Sequence, residues 1–330
     1  MTEIRYNPLL RDWTMVASNR HKRPNLPKTN CPFCPGSGKV PDNYEVLAYD
    51  NDFPALSQDP PTPDDVATRL YQVQPAYGKC EVILYSKEHT TSLPQLPVAH
   101  IRKLVDLWAD RFQALSANPR HKYVFIFENR GPEVGVTMPH PHGQIYAYPY
   151  VPQKLRVELE SFHLHREQTG HCLMCDINAE EQRVGVRMLD ETEHFLAYIP
   201  FFTDYPYGAF ISAKRHVGTI AEFTDEERTD LARILKRVTS GMDELFHREF
   251  PYMMAIHQSP VNQEAGAPDF HFHIEFYPPL QTETRLKYLA SSETGAWAPC
   301  NPMAVEQTAP VLKAAIQTRK EANKHVDPLV

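Results

Sequence analysis

No apolar run in the chain reaches the roughly 18–20 residues that a membrane-spanning helix needs, so no membrane span is expected. The opening segment MTEIRYNPLLRDW lacks the apolar stretch of a secretory leader. An excess of basic residues is lacking too: 34 Lys and Arg against 41 Asp and Glu give a net charge of −7. That balance argues against a general nucleic-acid binder, which needs a basic face, but leaves room for a local pocket for one small anion. A cytoplasmic protein is expected, and with it a reducing environment. Cysteine is scarce, with six in 330 residues, and close pairs then read as metal ligands rather than disulfides. Proline is not scarce: the 30 prolines belong mostly in connections. The length suits one large domain or two ordinary ones.

Four of the six cysteines form two C-x-x-C pairs, Cys31/Cys34 and Cys172/Cys175, whose first members lie 172 − 31 = 141 positions apart. The segments beyond each pair come in the same order. After the first pair come the strand-like YEVLAYDNDFPAL, CEVILYSKEH ending at His89, the amphipathic VAHIRKLVDLWADRFQAL, the strand-like YVFIFEN, and His140-Pro-His142-Gly-Gln144. After the second come HFLAYIPFFTDYPYG, GAFISAKRH ending at His216, the helical DEERTDLARILKRVTSGMDELF, PYMMAIH, and His271-Phe-His273-Ile-Glu275. This order predicts a duplicated α+β unit. One repeat spans residues 1–155 and the other 156–330, with a helix-bearing tail after about residue 280 that has no counterpart in the first.

Zinc favours four thiolate or imidazole ligands in a tetrahedron. The first repeat offers Cys31, Cys34, His89 and His140, and the second Cys172, Cys175, His216 and His271, in matching positions. His171 is a rival ligand in the second set, ranked below His216 because it adjoins Cys172. Four protein ligands leave no open position, so both sites are expected to be structural. The competing reading is of core thiols and scattered histidines among the 16 in the chain.

If His140-Pro-His142-Gly-Gln144 is a strand, His140, His142 and Gln144 share a side. His142 then presents an imidazole, which is largely unprotonated near neutral pH, beside an amide that can donate to an oxygen. That pairing suits covalent transfer of a phosphoryl-type group. The alternative is a structural histidine satisfied by backbone.

The segment GVTMPHPHGQIYAYP resembles the active-site segment of the galactose-1-phosphate uridylyltransferases, a branch of the histidine-triad (HIT) superfamily. NRHKRP (19–24), CPFCPG (31–36), NDFPAL (51–56), FENRGPEVG (127–135) and EFYPPL (275–280) are similar to family segments in family order. The resemblance implies a duplicated HIT-like α+β fold, a mostly antiparallel sheet with flanking helices, and a homodimer. It implies His142 as the nucleophile that becomes uridylylated and Gln144 as the residue binding the transferred phosphoryl group. It implies Arg20 and Arg23 near phosphates, Asn51, Phe53 and Asn129 in the nucleotide pocket, and Gly135 and Thr137 in a phosphate loop. Lys287 and Glu293 fall near hexose-contacting positions, with a one-residue gap needed to align them.

It also implies an alternative second metal set, Glu158, His257, His273 and Glu275. Certain relatives have one Glu and three His there, whereas Glu275 is a carboxylate where a histidine is expected. Zinc is expected at two structural sites, with iron as the alternative at the second. The implied reaction is ping-pong, within galactose metabolism: UDP-glucose uridylylates His142, glucose 1-phosphate leaves, and galactose 1-phosphate collects the uridylyl group as UDP-galactose. Two alternatives remain: an adenylyltransferase or phosphorylase acting on ADP-glucose, and a non-catalytic zinc-stabilised nucleotide-binding protein.

Overall fold

The computed structural model describes residues 2–18, 31–263, 267 and 269–330. Near the N-terminus, β1 (Thr2–Asn7), β2 (Asp12–Ala17) and β4 (Val73–Pro75) form a small antiparallel sheet in the order β2-β1-β4. The main sheet has nine strands, all antiparallel. The first half of the chain supplies β3 (Leu47–Asp50), β5 (Lys79–Leu84), β6 (Tyr123–Arg130) and β7 (His142–Tyr148). The second half supplies β8 (Met188–Glu191), β9 (Phe195–Tyr198), β10 (Phe210–Ala213), β11 (Tyr252–His257) and β12 (His273–Tyr277).

The order β3-β5-β7-β6-β11-β12-β10-β9-β8 is a near-palindrome about the β6/β11 ladder. Each half contributes the same four-strand pattern, and β8 is an addition at one edge. This is the duplicated α+β architecture that the repeat order predicts.

Period-2 alternation divides the sheet residues into two sets. Ile83, Ile126, Ile145, Ile211, Ile256 and Ile274 face one way and join the principal core. That face is covered by α1 (Val98–Ser116) and α4 (Asp225–Leu245), whose apolar stripes supply Leu104, Trp108, Leu231 and Leu235. Both helices match their amphipathic sequence segments. α4 begins with a capping box in which Thr224 and Glu227 satisfy each other's backbone N–H. The tail helix α6 (Val305–Asn323) carries Pro310 in its first half and packs on α4.

The opposite face carries His142, Gln144, Phe127, His257, His273 and Glu275, as the registers Phe127↔Gln144, Ala255↔Glu275 and His257↔His273 require. Chemistry-bearing residues thus lie on one side and the main core on the other. In the second half α2 (Gln153–Thr169) and α3 (Leu173–Val184) pack on this face through Leu155, Phe162 and Met174. A short helix α5 (Ser291–Ala296) precedes the tail. Among the described residues no helix is long and apolar enough to cross a membrane.

α4 and α6 approach closely at Gly241, where an added Cβ would lie 2.2 Å from Ile316 Cγ1 and 2.8 Å from its Cα. Overpacking of this kind typically costs about 1–3 kcal/mol. Gly241→Val is therefore expected to lower the urea midpoint clearly without changing the slope of the transition. An unchanged midpoint would show that α6 is not held at this contact.

Candidate active site and metal clusters

The C-x-x-C turn at Cys31 and Cys34 lies beside His89, which follows β5, and His140, which precedes β7. Their four ligand atoms lie within 4.8 Å of one another. Cys31 Sγ is 3.6 Å from His140 Nδ1, and Cys34 Sγ is 3.3 Å from His89 Nδ1 and 3.8 Å from His140 Nδ1. A tetrahedral zinc site with Zn–S of about 2.3 Å and Zn–N of about 2.0 Å sets sulfur and nitrogen about 3.5 Å apart. The donor set fits a metal in both chemistry and spacing. His140 Nε2 lies 2.8 Å from the Ser86 carbonyl, which can only accept, so Nδ1 is the ring's coordinating atom. Burial pushes the His140 pKa down to about 4, keeping the ring neutral as a ligand must be. Burial also pushes the Cys34 thiol up to about 11, and the nearby Cys31 adds to that. A divalent ion would relieve this crowding of two sulfurs.

The second half repeats the arrangement. Cys172, Cys175, His216 and His271 bring four ligand atoms within 4.8 Å. His271 Nδ1 is 3.4 Å from Cys172 Sγ and 3.6 Å from Cys175 Sγ, and its Nε2 lies 2.8 Å from the Ala213 carbonyl. The cluster contains His216 and not His171, whose Nδ1 lies 3.6 Å from Asp176 instead.

The alternative set is assembled as well. Glu158 of α2, His257 of β11, and His273 and Glu275 of β12 form a third cluster within the same 4.8 Å limit. His257 Nδ1 is 2.8 Å from Glu158, and His273 Nε2 is 3.3 Å from Glu275. The two sets that the sequence offered as alternatives are therefore separate clusters. Lys154 also belongs here, with its ammonium 2.5 Å from Glu275 and 2.6 Å from the Tyr277 hydroxyl. Burial opposes ionisation of Glu275, but His257, His273 and Lys154 hold its carboxyl well below the usual range. Sequence reasoning missed Lys154. Its i,i+4 spacing from Glu158 on a helix was the available signal.

The predicted strand at 140–144 begins two residues later than expected. β7 starts at His142, and His273 likewise starts β12. The reason is local. The His140 carbonyl lies 2.7 Å from His142 Nδ1, and the His271 carbonyl 2.9 Å from His273 Nδ1. Because a carbonyl only accepts, Nδ1 of His142 carries the proton and Nε2 carries the lone pair. Gln144 stands one step along the same face, and its carbonyl oxygen accepts from the Tyr146 hydroxyl at 3.3 Å. The amide NH2 is then the end suited to an anionic ligand.

The remaining candidates fall into groups. Asn129 lies on β6 on the same face as Phe127, the register partner of Gln144. Asn51 accepts from the Phe53 N–H at 2.9 Å and donates its own N–H to Cys80 at 3.2 Å, building the turn that follows β3. Gly135 adopts φ +81°, which favours glycine, and closes the turn that leads to the exposed Thr137. Arg20 and Arg23 lie outside the described residues. Lys287 and Glu293 sit in the second half, 3.6 Å apart, with the Lys287 ammonium 5.2 Å from the Tyr205 ring centre. Their described partners do not include His142 or Gln144.

Fold and site together define a duplicated α+β protein with an H-x-H-x-Q strand beside Cys/His clusters able to hold metal. Two family profiles match the chain: the galactose-1-phosphate uridyl transferase N-terminal domain over residues 1–152 and the C-terminal domain over residues 158–291. The chain belongs to the galactose-1-phosphate uridylyltransferase family. It is 43% identical to the galactose-1-phosphate uridylyltransferase of Thermotoga maritima, over 95% of this chain and 98% of that one. A solved uridylyltransferase structure superposes with a TM-score of 0.89 at 32% identity, covering 96% of this chain and 99% of the other. An ADP-glucose phosphorylase from Arabidopsis thaliana, solved with ADP-glucose, shares the fold at a TM-score of 0.74 and 24% identity, over 95% of this chain and 98% of that one.

If a Cys2His2 cluster holds a metal ion, removing one of its thiolates should release that ion. Cys34→Ser and Cys175→Ser are each expected to lose about one metal equivalent by elemental analysis and to melt at lower temperature. Unchanged metal content in both variants would remove the basis for calling these clusters metal sites.

Proposed function

We propose that this chain transfers a uridylyl group between UDP-glucose and galactose 1-phosphate, with His142 as the covalent carrier. The observation that carries this reading is the 2.7 Å contact from His142 Nδ1 to the His140 carbonyl, which leaves the lone pair on Nε2, with Gln144 beside it on one strand. Nε2 attacks the α-phosphorus and glucose 1-phosphate leaves. The ring becomes cationic as the N–P bond forms, and the His140 carbonyl stabilises the charge at Nδ1–H. The Gln144 amide donates to a phosphoryl oxygen as negative charge is redistributed. Galactose 1-phosphate then attacks the same phosphorus, and His142 is restored as a neutral base.

Arg20 and Arg23 are proposed to meet phosphates. Asn51, Phe53 and Asn129 are proposed to line the nucleotide pocket, with Gly135 and Thr137 in the phosphate loop and Lys287 and Glu293 near the hexose. The Cys31/Cys34/His89/His140 and Cys172/Cys175/His216/His271 clusters are proposed to hold structural zinc, which would brace the segments around both histidine pairs. The halves 1–155 and 156–330 are proposed as the two repeat units. A homodimer in the cytoplasm is the proposed state, and the exposed Phe201, Phe202, Tyr288 and Trp297 supply apolar surface for such an assembly.

Intact mass after brief incubation with UDP-glucose, without an acid quench, tests the carrier. A uridylyl-sized gain is expected in the wild type and not in His142→Gly, and not with ADP-glucose. An adenylyl-sized gain instead would reassign the donor. No gain with either nucleotide would reduce the chain to a binding protein.

A further inference from the structure

Beneath the strand that carries His142 and Gln144, on its helix-facing side, runs a buried hydrogen-bonded bridge. β7 lies between β5 and β6. Tyr85, just past the end of β5, donates its hydroxyl to Glu128 Oε2 on β6 at 3.3 Å. Tyr252 of β11 donates to the same carboxylate at 3.4 Å. Tyr85, Glu128 and Tyr252 are only 1%, 5% and 0% exposed. The bridge passes directly under Gly143: a Cβ there would sit 2.3 Å from the Tyr85 hydroxyl and 3.0 Å from the Phe127 carbonyl. Tyr85 is itself pinned. Its N–H donates to the Pro141 carbonyl at 3.0 Å, and its own carbonyl lies 2.7 Å from His100 Nε2 on α1.

The second half of the chain provides an internal control. The register pairs Leu84↔His142 and Ser212↔His273 place Ala213 where the first half has Tyr85. The pairs Phe127↔Gln144 and Ala255↔Glu275 place Ile256 where the first half has Glu128, and Ile274 where it has Gly143. The same sheet geometry is filled there by aliphatic side chains, and Ile256 and Ile274 are fully buried. Packing alone therefore does not call for a carboxyl at this point. Burial pushes Glu128 up to about 7, the mark of an unfavourable site for charge. A polar bridge under the H-x-H-G-Q strand, replaced by aliphatic side chains at the matching positions of the second half, with the glycine that makes room for it, indicates a role at that strand.

We propose that Tyr85 and Glu128 are positioning residues for the transfer reaction: their bridge fixes the height of Gly143 and thereby aligns His142 with Gln144. This rests on His142 being the uridylyl carrier. The test is single-turnover uridylylation of the full chain by UDP-glucose in Tyr85→Phe, Glu128→Leu and Glu128→Gln, each with its melting temperature. Misalignment of reacting groups slows chemistry more than it weakens binding. Tyr85→Phe and Glu128→Leu should therefore lose about tenfold or more in rate, while the UDP-glucose concentration at half-maximal rate moves by less than about threefold.

Glu128→Gln can still accept from the phenol and should keep most of the rate. Tyr85→Phe removes a single oxygen and serves if Glu128→Leu does not fold. Wild-type rates in folded Tyr85→Phe and Glu128→Leu would overturn the proposal. So would a loss in Glu128→Gln equal to that in Glu128→Leu, or losses seen only in half-saturation or melting. No adduct on the wild type would overturn the carrier reading, and the positioning role with it.

Discussion

The hydrogen bond from His142 Nδ1–H to the His140 carbonyl is the contact around which the first half's candidate site is organised. It ties the ring's orientation and tautomer to the backbone of a residue whose own side chain faces the Cys31/Cys34 cluster. His140 therefore serves twice. Its ring is locked by the Ser86 carbonyl with Nδ1 toward the sulfurs, and its carbonyl sets the neighbouring imidazole. A metal held by Cys31, Cys34, His89 and His140 would hold that carbonyl in place without touching a substrate. This would explain why a site with four protein ligands and no open position belongs beside the proposed nucleophile. The spacing H-x-H follows from the reach of one imidazole to the carbonyl two residues back.

The second half keeps this device and changes what surrounds it. His271 and His273 repeat the carbonyl contact at 2.9 Å, and His271 repeats the approach to two sulfurs. The next residue on that face is Glu275 rather than Gln144. A carboxylate beside the imidazole repels a phosphate, whereas an amide donates to one. His273 Nε2 lies toward Glu275, and Lys154 and His257 complete a charge-compensated group. One scaffold thus yields an imidazole suited to attack on phosphorus and another engaged by carboxylates. The deciding differences are single side chains, not the fold.

The sequence made the repeat legible because its markers are chemical. Paired cysteines, H-x-H and long amphipathic helices survive divergence, so the order of strands and the two Cys2His2 groupings could be read from spacing. The third cluster could be read only through family resemblance. Its members come from α2, β11 and β12, and no local spacing links Glu158 to His257 across 99 positions. The start of β7 was misread by two residues because alternation says nothing about a side chain capturing the carbonyl two residues back. The helix at 173–184 and the strand at 188–191 escaped notice because they are short and lack clear periodicity. The Tyr85–Glu128 bridge was invisible for a different reason: it joins two strands across a third, and only the register shows that Gly143 lies above it.

The sheet itself gives the reason for a second half that lacks the glutamine. In one repeat alone β6 would be an edge, with a row of unpaired backbone groups one strand from His142. β11 pairs with β6 from Tyr252↔Arg130 to Ile256↔Ile126 and removes that edge. The pairing is anchored where it begins: Arg130, 5% exposed, forms a two-pronged ion pair with Asp243 of α4, with Nη2 2.9 Å from Oδ2. Tyr252, the register partner of Arg130, also reaches the Glu128 carboxylate beneath Gly143. The second half therefore contributes to the proposed active site through mechanical support. It closes the ladder one strand from His142 and supplies one of the hydroxyls on the bridge beneath β7. Substitutions on the β11 side of this seam are therefore expected to act on the strand that carries His142, although they lie in the half that lacks the H-x-H-G-Q sequence.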